Sequence, residues 1–411
     1  MSTALATVEL GPLGLDGGAH VLVKLALEDL VSGQGLAVHG THPELAGHLA
    51  TWCRQQGHHW QSGGPTDHAP RAGAIGPVGV VTRGSAASAR WVGAQRAGAA
   101  DATQPNAVQS QPAADWGLAA RGAAIEPGGP TPTFRLQHRA ELWTDRAAVL
   151  YAQAVAAQWD PATAIDWSAP IGHGGRVEAA VVQVMTFLVE NEEAALVVPA
   201  RFLGQVHPHF REIQQVLAVN IADEARHIDV FTRRATMTGH DMALSTVGGR
   251  VSLQTLLEEP DYATAAFLLS VMGEGTFVAL LSFLERHGPD PLTRQIAHLT
   301  RNDEARHVAF AMAHLEAHLQ LEPQLRGRLA LAVETRHRAL QSTAGLNEDV
   351  FDALVLLAAG QDSPTAVAQG WEHVQNLQHD MADSRHGRLA RLGFTAGEAE
   401  ALSSLHTRNF M

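Results

Sequence analysis

The pentapeptide Asp-Glu-Ala-Arg-His occurs twice in this 411-residue chain, at residues 223–227 and again at residues 303–307. Each copy lies in a segment whose apolar residues recur every three to four positions, which predicts an α-helix. Side chains three residues apart share a helix face and lie about 5–6 Å from each other. Glu224 therefore lies beside His227, and Glu304 beside His307. Each pair presents one carboxylate and one imidazole, which together can bind one metal ion.

Two such pairs on facing helices need a further glutamate from each of two more helices to form a dinuclear site. The segment 190–193 contains three acids, and Glu192 is the one whose helical neighbours are all apolar. Glu274 is the only charged residue of the segment 268–284. A carboxylate on an apolar stripe costs several kcal/mol unless it is paired or binds a metal. We therefore expect both glutamates to point into the bundle.

A single Glu-x-x-His pair is more often a solvated helix surface than a metal site, and 23 histidines make chance matches frequent. Two identical copies, with two apolar-flanked acids at the spacing of paired helices, favour a dinuclear site instead.

The aspartates and arginines of the repeated pentapeptide also have candidate roles. Asp223 and Asp303 lie four residues before the histidines, so each can orient the imidazole that reaches across from the facing helix. Arg226 and Arg306 can neutralise these aspartates. Ordinary surface ion pairs explain the same residues equally well.

The composition excludes several other classes of protein. The chain has 42 acidic and 29 basic residues, a net charge of −13, and no long basic run, which argues against nucleic-acid binding. The single cysteine, Cys53, excludes an intrachain disulfide and a zinc-ribbon or rubredoxin-type site. The first 18 residues lack the pattern of a signal peptide, and no run of about 18 apolar residues is evident. The sequence thus predicts a cytoplasmic protein without a membrane span.

Composition and periodicity divide the chain into three zones. Residues 1–85 predict a small domain of β-α-β-α-β order, and residues 86–134, rich in Ala, Gly, Gln, Ser and Pro, predict a low-complexity linker. Residues 135–411 predict a helical domain with a C-terminal helical extension. Its expected helices are 137–158, 174–204, 208–239, 260–287, 290–320 and 323–344, with shorter ones after 347. The fold class is therefore mainly α, with four long helices that suffice for a bundle.

Residues 135 to about 320 resemble the ferritin-like di-iron oxygenase and ribonucleotide-reductase-like superfamily, in which E, D-E-x-R-H, E and D-E-x-R-H stand on four helices. The resemblance is carried by NEEAALVVPARF, IADEARHIDVF, GEGTFVALLSF and RNDEARHVAFAMAHL. It implies a ferritin-like four-helix di-metal bundle. By the same resemblance, the metal ligands and catalytic residues are Glu192, Glu224, His227, Glu274, Glu304 and His307.

The N-terminal domain resembles the TusA-like sulfur-carrier family through LALEDL and the helix ending WCRQQGHHW. The Cys-Pro-x-Pro of that family is absent, since the corresponding stretch reads GGAHVLV. The resemblance therefore implies a related fold that has lost sulfur transfer.

The superfamily resemblance implies an O2-activating non-haem di-iron oxidoreductase of the monooxygenase, N-oxygenase or desaturase type, acting on a small organic substrate. The implied cofactor is two iron ions, Fe/Fe, with Mn/Fe left open because oxygen-rich sites accept both metals. The sequence contains no flavin, nicotinamide or iron–sulfur motif, so a ferredoxin, a reductase or the substrate would donate electrons. The alternatives are a ferroxidase, iron-storage or peroxide-scavenging protein, and a non-catalytic interaction protein. The oligomeric state stays open, with a homodimer as one option.

Residues one helical turn from the ligands are candidates for a substrate pocket, although plain core packing explains each of them as well. They are Met185, Leu188, Leu196, Phe231, Met272, Thr276, Phe277 and Phe310. Tyr151 and Tyr262 are the only tyrosines. Because Tyr262 precedes Glu274 by about three helical turns, a tyrosyl radical beside the metals is not favoured.

Overall fold

In the computed structural model, which describes residues 5–63, 77–85, 91–341 and 348–405, the chain divides into two units. The first comprises residues 1–100 and 121–131, and the second comprises residues 101–120 and 132–411.

The first unit contains a four-stranded sheet of strand order β1-β2-β4-β3. Strands β1 and β2 are parallel, and the other two pairings are antiparallel. Its elements are β1 (Ala6–Glu9), α1 (Ala19–Glu28), β2 (Gly35–His39), α2 (Leu45–Gln56), β3 (His59–Ser62) and β4 (Gly79–Thr82). The structure contains strand β3, which the predicted β-α-β-α-β order does not include. It is a largely exposed edge strand of sequence HWQS, which lacks the apolar alternation that identifies a strand.

The two helices of this unit share one apolar core with the sheet. Leu27 of α1 and Leu49 of α2 are buried there with Leu36 and Val38 of β2. Cys53 lies in the same core, and burial raises the pKa of its thiol to about 11. A thiol with so high a pKa is almost fully protonated at neutral pH and is a poor nucleophile.

The region predicted as one continuous linker contributes to both units. It contains a short antiparallel pair, β5 (Gln95–Arg96) and β6 (Ala124–Ile125), and the 3-10 helix Ala114–Trp116. At Gly122, φ is 92°, and a Cβ atom would lie 2.7 Å from the backbone nitrogen of Ala100. Such turn-rich structure has no apolar period, so the composition alone did not reveal it.

The second unit is helical, which confirms the predicted fold class. Its helices are α3 (Arg139–Leu142), α4 (Ala147–Ala156), α5 (Pro161–Ala164), α6 (Gly175–Leu203), α7 (Arg211–Thr236), α8 (Val247–Leu257), α9 (Tyr262–Ala266), α10 (Gly275–His287), α11 (Pro291–Leu321), α12 (Leu325–Gln341), α13 (Glu348–Ala359), α14 (Pro364–Arg391) and α15 (Ala396–Ser404). A π-helix, Phe267–Glu274, joins α9 to α10. The four bundle helices are α6, α7, the helix formed by α9, the π-helix and α10, and α11. Outside this bundle, α13 packs on α6, and α14 packs on α10 and the π-helix.

One helix prediction in this unit was wrong, and one helix was not predicted. The helix expected at 137–158 is interrupted after Leu142, because Trp143 has extended backbone and its indole N–H donates to Asp145 over 2.7 Å. Helix α8 was not predicted, since the paired glycines in its first turn resemble a break. Its N-terminus is stabilised by the Thr246 hydroxyl, which accepts from the Gly249 N–H over 3.0 Å.

The continuous helix Tyr262–His287 is long and apolar enough to cross a membrane by length and composition, with a mean hydropathy of 1.8 in its most apolar window. The sequence had been expected to contain no such segment. Of its most apolar 18 residues, 78% are buried inside the protein, and helices in protein cores can have the same length and composition. Its central charge, Glu274, faces the candidate metal centre described below.

A buried network of charged residues connects three helices at one end of the bundle. Arg234 is fully buried and donates to both carboxylate oxygens of Glu178, over 2.7 and 2.9 Å, and to Asp290 over 2.9 Å. Burial opposes ionisation of Glu178, but the hydrogen bonds and charge of Arg234 outweigh it and lower the pKa of Glu178 to about 2. The network ties α6, α7 and the N-terminus of α11 together.

Candidate dinuclear metal centre

The structure brings all six predicted ligands together in the interior of the bundle. Helix α6 supplies one of them, α7 and α11 supply two each, and the π-helix supplies one. Each of the six is at most 7% exposed: Glu192, Glu224, His227, Glu274, Glu304 and His307. The repeated pentapeptides face each other because both Glu-x-x-His pairs lie on the inward stripes of their helices.

The six residues form two overlapping groups of candidate ligand atoms. The first consists of Glu192, Glu224, His227 and Glu304, and the second of Glu224, Glu274, Glu304 and His307. Within each group, one ligand atom from every residue lies within 4.8 Å of the others. Glu224 and Glu304 belong to both groups, so their carboxylates are placed to bridge two ions.

Several of these carboxylate oxygens accept no hydrogen bond from any residue that the structure describes. They are Glu192 Oε1, Glu274 Oε2, Glu304 Oε1 and Glu304 Oε2. Buried acceptors without partners are rare in native proteins, because each loses its solvation without compensation. Four carboxylates and two imidazoles suit iron or manganese, so the residues present fit a pair of such ions.

Both imidazoles turn the same ring nitrogen toward this cluster. His227 Nδ1 lies 3.1 Å from Glu224 Oε2 and 3.3 Å from Glu304 Oε1, and His307 Nδ1 lies 2.9 Å from Glu224 Oε1. The Nε2 atoms point away from the cluster. Nδ1 is therefore the nitrogen available to a metal ion.

The Nε2 atoms contact the aspartates of the opposite pentapeptide. His227 Nε2 lies 3.1 Å from Asp303 Oδ2, and His307 Nε2 lies 3.3 Å from Asp223 Oδ2. These are the contacts across facing helices that the four-residue spacing predicts. A carboxylate in this position fixes the tautomer with the proton on Nε2 and the lone pair on Nδ1.

The arginines contact the same two aspartates. Arg226 donates to Asp223 and, over 2.8 Å, to Asp303, while Arg306 donates to Asp303 and lies 3.8 Å from Asp223. The arginine side chains are only 10% and 16% exposed, and the aspartates at most 1%. Because all four residues interlock, they are not the ordinary surface ion pairs that the sequence also allowed.

Two partners of the aspartates were missed by the sequence analysis. The Gln158 amide donates to Asp223 over 2.7 Å, and the Trp159 indole N–H donates to Asp303 over 2.8 Å. Arg226 also lies over the Trp159 ring, 4.6 Å from its centroid. Both residues follow α4, far from the motifs in sequence, so no local spacing pointed to them.

Burial and neighbouring charges shift the pKa of four of the six ligands upward. Burial, and then the charges of Glu224 and Glu304, raises the pKa of Glu192 and of Glu274 well above the usual range. Burial alone would lower the pKa of His227 and of His307, but the surrounding carboxylates raise both well above the usual range. For Glu224, burial is outweighed by the two histidines, and its pKa is lowered.

Two cavities adjoin the cluster. The first is lined by Glu192, Glu274 and Glu304 together with Leu253 and Leu256 of the unpredicted helix α8. Asn191 also lines it. The second is lined by Glu224 and Glu274 among mainly apolar residues.

Of the candidate pocket residues, Phe277 lines the first cavity and Phe310 the second. Met185, Leu188 and Phe231 are instead fully buried in the apolar core. Tyr262 also lines the second cavity, although its distance along the helix from Glu274 suggested a remote position. Burial raises the pKa of its phenol well above the usual value.

Fold and site together define a helical bundle with a candidate dinuclear metal centre of four carboxylates and two imidazoles. Residues 175–342 match the family model described as P-aminobenzoate N-oxygenase AurF. The matched span begins with α6 and ends beyond α12, so it includes all six candidate ligands.

Solved structures with a similar fold include variants of an R2-like ligand-binding oxidase. One, with an Fe/Fe cofactor, is 16% identical with a TM-score of 0.48, covering 61% of this chain and 94% of that chain. Another, with a Mn/Fe cofactor, is 15% identical with a TM-score of 0.45, covering 63% and 94% respectively. No curated protein shows significant similarity to the chain.

Proposed function

We propose that the helical unit is a non-haem di-iron oxygenase that oxidises a small organic substrate in the cavities beside the metal centre. The observation that carries the proposal is the set of four buried carboxylate oxygens, in two overlapping ligand groups, that accept no hydrogen bond from the described residues. Iron ions held there, or one manganese and one iron, would supply the electrons that reduce O2. Glu192, Glu224 and His227, with Glu304, would hold one ion. Glu274 and His307, with the shared Glu224 and Glu304, would hold the other.

Among the reaction types open to such a centre, the family match favours oxidation at nitrogen. Oxygenation of an amine to a hydroxylamine forms one N–O bond and releases the second oxygen atom as water. The balance requires two electrons and two protons, which we assign to an external ferredoxin or reductase.

The carbonyl oxygen of Asn191 is suited to position an amine in the first cavity. Its amide nitrogen donates to the Phe187 carbonyl over 2.7 Å, which fixes the orientation of the side chain. Its Oδ1 atom is buried and has no hydrogen-bond partner within the described part of the chain. A substrate N–H can donate to this oxygen, whereas a purely apolar substrate would leave it unsatisfied.

Ferrous titration of the anaerobic protein, followed by admission of O2, tests the proposed class. Oxidation that stops near two irons per chain supports an oxygenase, and none is expected for the Glu304→Ala variant. Oxidation of tens of irons per chain with a mineral core would show an iron-storage protein instead.

Incubation of the reduced, iron-loaded protein with small aromatic amines and isotopically labelled O2 tests the reaction. Mass spectrometry should detect one labelled oxygen in the amine product. The Asn191→Leu variant should bind iron normally but turn over the amine more slowly. Oxygen incorporation only at carbon would contradict the assignment of nitrogen as the site of attack.

A further inference from the structure

The helix that carries Glu274 departs from regular α-helical geometry at the metal centre. The π-helix Phe267–Glu274 ends at this glutamate, and regular α-helix resumes at Gly275. A π-helical turn contains one residue more than the α-helical ladder accommodates, and such turns are rare and concentrate at functional sites. The orientation of Glu274 therefore depends on a hydrogen-bond register that is less favourable than its α-helical alternative.

Arg388 of α14 binds the backbone on both sides of Glu274. Its Nε–H donates to the Val271 carbonyl over 2.7 Å, and its Nη1 donates to the Gly275 carbonyl over 2.9 Å. The Ser384 hydroxyl, one turn earlier on α14, also accepts from Nη1 over 2.6 Å. The guanidinium is largely buried, so these bonds are little weakened by competing water.

Gly275 is required for this contact. A Cβ atom at residue 275 would lie 2.4 Å from Cζ and 2.5 Å from Nε of Arg388, which is far inside van der Waals contact. The clashing atoms belong to a guanidinium that is held by three hydrogen bonds, so it cannot move aside without losing them. Gly275 and Arg388 therefore form a matched pair, in which the missing side chain makes room for the guanidinium.

We propose that Arg388 is a positioning residue that holds the π-helical register and thereby directs the Glu274 carboxylate at the second metal ion. If the π-turn reverted to α-helix, Glu274 would be rotated by about one residue, or about 100°, around the helix axis. The carboxylate would then leave the group that it forms with His307. Arg388 lies outside the matched span 175–342, so the C-terminal helices contribute to the metal centre and do not merely cover it.

The inference rests on the proposed metal centre and makes a distinction between its two ions. Glu274 belongs only to the second ligand group, whereas Glu192 and His227 belong only to the first. Loss of the hydrogen bonds from Arg388 should therefore weaken the binding of the second ion only. General damage to the fold would weaken the binding of both ions.

Anaerobic titration with Co²⁺, followed by visible absorption and by counting of bound ions, tests this. Wild-type protein should bind two ions per chain. Arg388→Ala should bind the second ion about 10- to 100-fold more weakly and keep the first. Its cobalt spectrum should match that of Glu274→Gln loaded with one ion. Arg391→Ala, on the same helix but exposed in an ion pair with Glu316, is the matched control and should bind two ions normally.

Gly275→Ala provides a second variant that keeps the arginine. It should weaken the binding of the second ion as Arg388→Ala does. The double variant should bind that ion little more weakly than Arg388→Ala alone, because both changes remove the same contact. Two ions bound with wild-type affinity by folded Arg388→Ala would overturn the proposal. Equal weakening of both ions, parallel to a fall in Tm, would also overturn it. A wild-type protein that binds no Co²⁺ would refute the proposed metal centre itself.

Discussion

Metal binding at this centre should release protons. Four candidate ligands have pKa values raised well above their usual ranges, namely Glu192, His227, Glu274 and His307. The raised pKa values favour the protonated form of these groups in the metal-free protein. A metal ion binds the carboxylate and the neutral imidazole, so the protons that these groups hold must leave as the ions bind.

Because the metal-free state binds more protons than the loaded state, a rise in pH favours loading. The logarithm of the combined association constant for two ions should rise with pH by the number of protons that loading releases. The affinity should stop rising once the pH exceeds the raised pKa values.

A weakly buffered, anaerobic solution of metal-free protein can be titrated with two equivalents of Co²⁺ in a pH-stat. The base that is consumed per chain counts the released protons. Glu192→Gln removes one titrating group, so this variant should release fewer protons than the wild type. Glu190→Gln, two residues away and outside both ligand groups, should release as many protons as the wild type.

Binding of both ions without any release of protons would refute this account of the site. It would mean that the metal-free cluster already holds its ligands in the deprotonated form. The raised pKa values would then have no consequence for metal binding.

Three further predictions address other parts of the chain. Glu224→Ala or Glu304→Ala should lose both ions in elemental analysis, because each carboxylate serves both groups, whereas Glu192→Asp should retain most of the metal and alter reactivity. Cys53→Ser should leave the proposed oxygenase activity unchanged, because its buried thiol is protonated at neutral pH; a persulfide trapped on it by mass spectrometry, with loss of function in the variant, would contradict this. Glu178→Gln should lower the free energy of unfolding by about 3 kcal/mol at pH 7, since its pKa falls from 4.5 to about 2 on folding. That contribution is present above pH 4.5 and is lost as the pH falls toward 2, so urea midpoints of variant and wild type should converge in acid.

The ligand set could be predicted because each ligand is indicated by residues close to it in the sequence. Glu224 and His227 share a helix face by spacing alone, and Glu192 is marked by its apolar helical neighbours. Helical periodicity repeats over each long segment, so the bounds of the bundle helices were also close to those observed. Each of these features depends on residues within two turns of one another.

The features that the sequence did not reveal depend on tertiary contacts. The π-helix before Glu274 has the composition of an ordinary apolar helix, and Arg388, which binds its carbonyls, lies on a distant helix. Trp159 reaches Asp303 from a short segment without periodicity. Helix α8 lines the first cavity with Leu253 and Leu256, but the two glycines in its first turn prevented its prediction from the sequence. In each case the partner that stabilises the feature is far away in the chain.

The identity of the two pentapeptides follows from how they contact each other. Asp223 accepts from His307 and Asp303 accepts from His227, so each copy supplies the acceptor that the other copy needs. A single copy would leave its imidazole without an orienting carboxylate and its aspartate without the imidazole that it orients. Arg226 and Arg306 complete the arrangement, because each donates to the aspartate of its own helix and lies within 4 Å of the other aspartate. The same contacts that orient the metal ligands therefore hold α7 against α11. Replacing Asp223 by Asn should consequently disturb His307 on the facing helix and leave His227, on its own helix, oriented by Asp303.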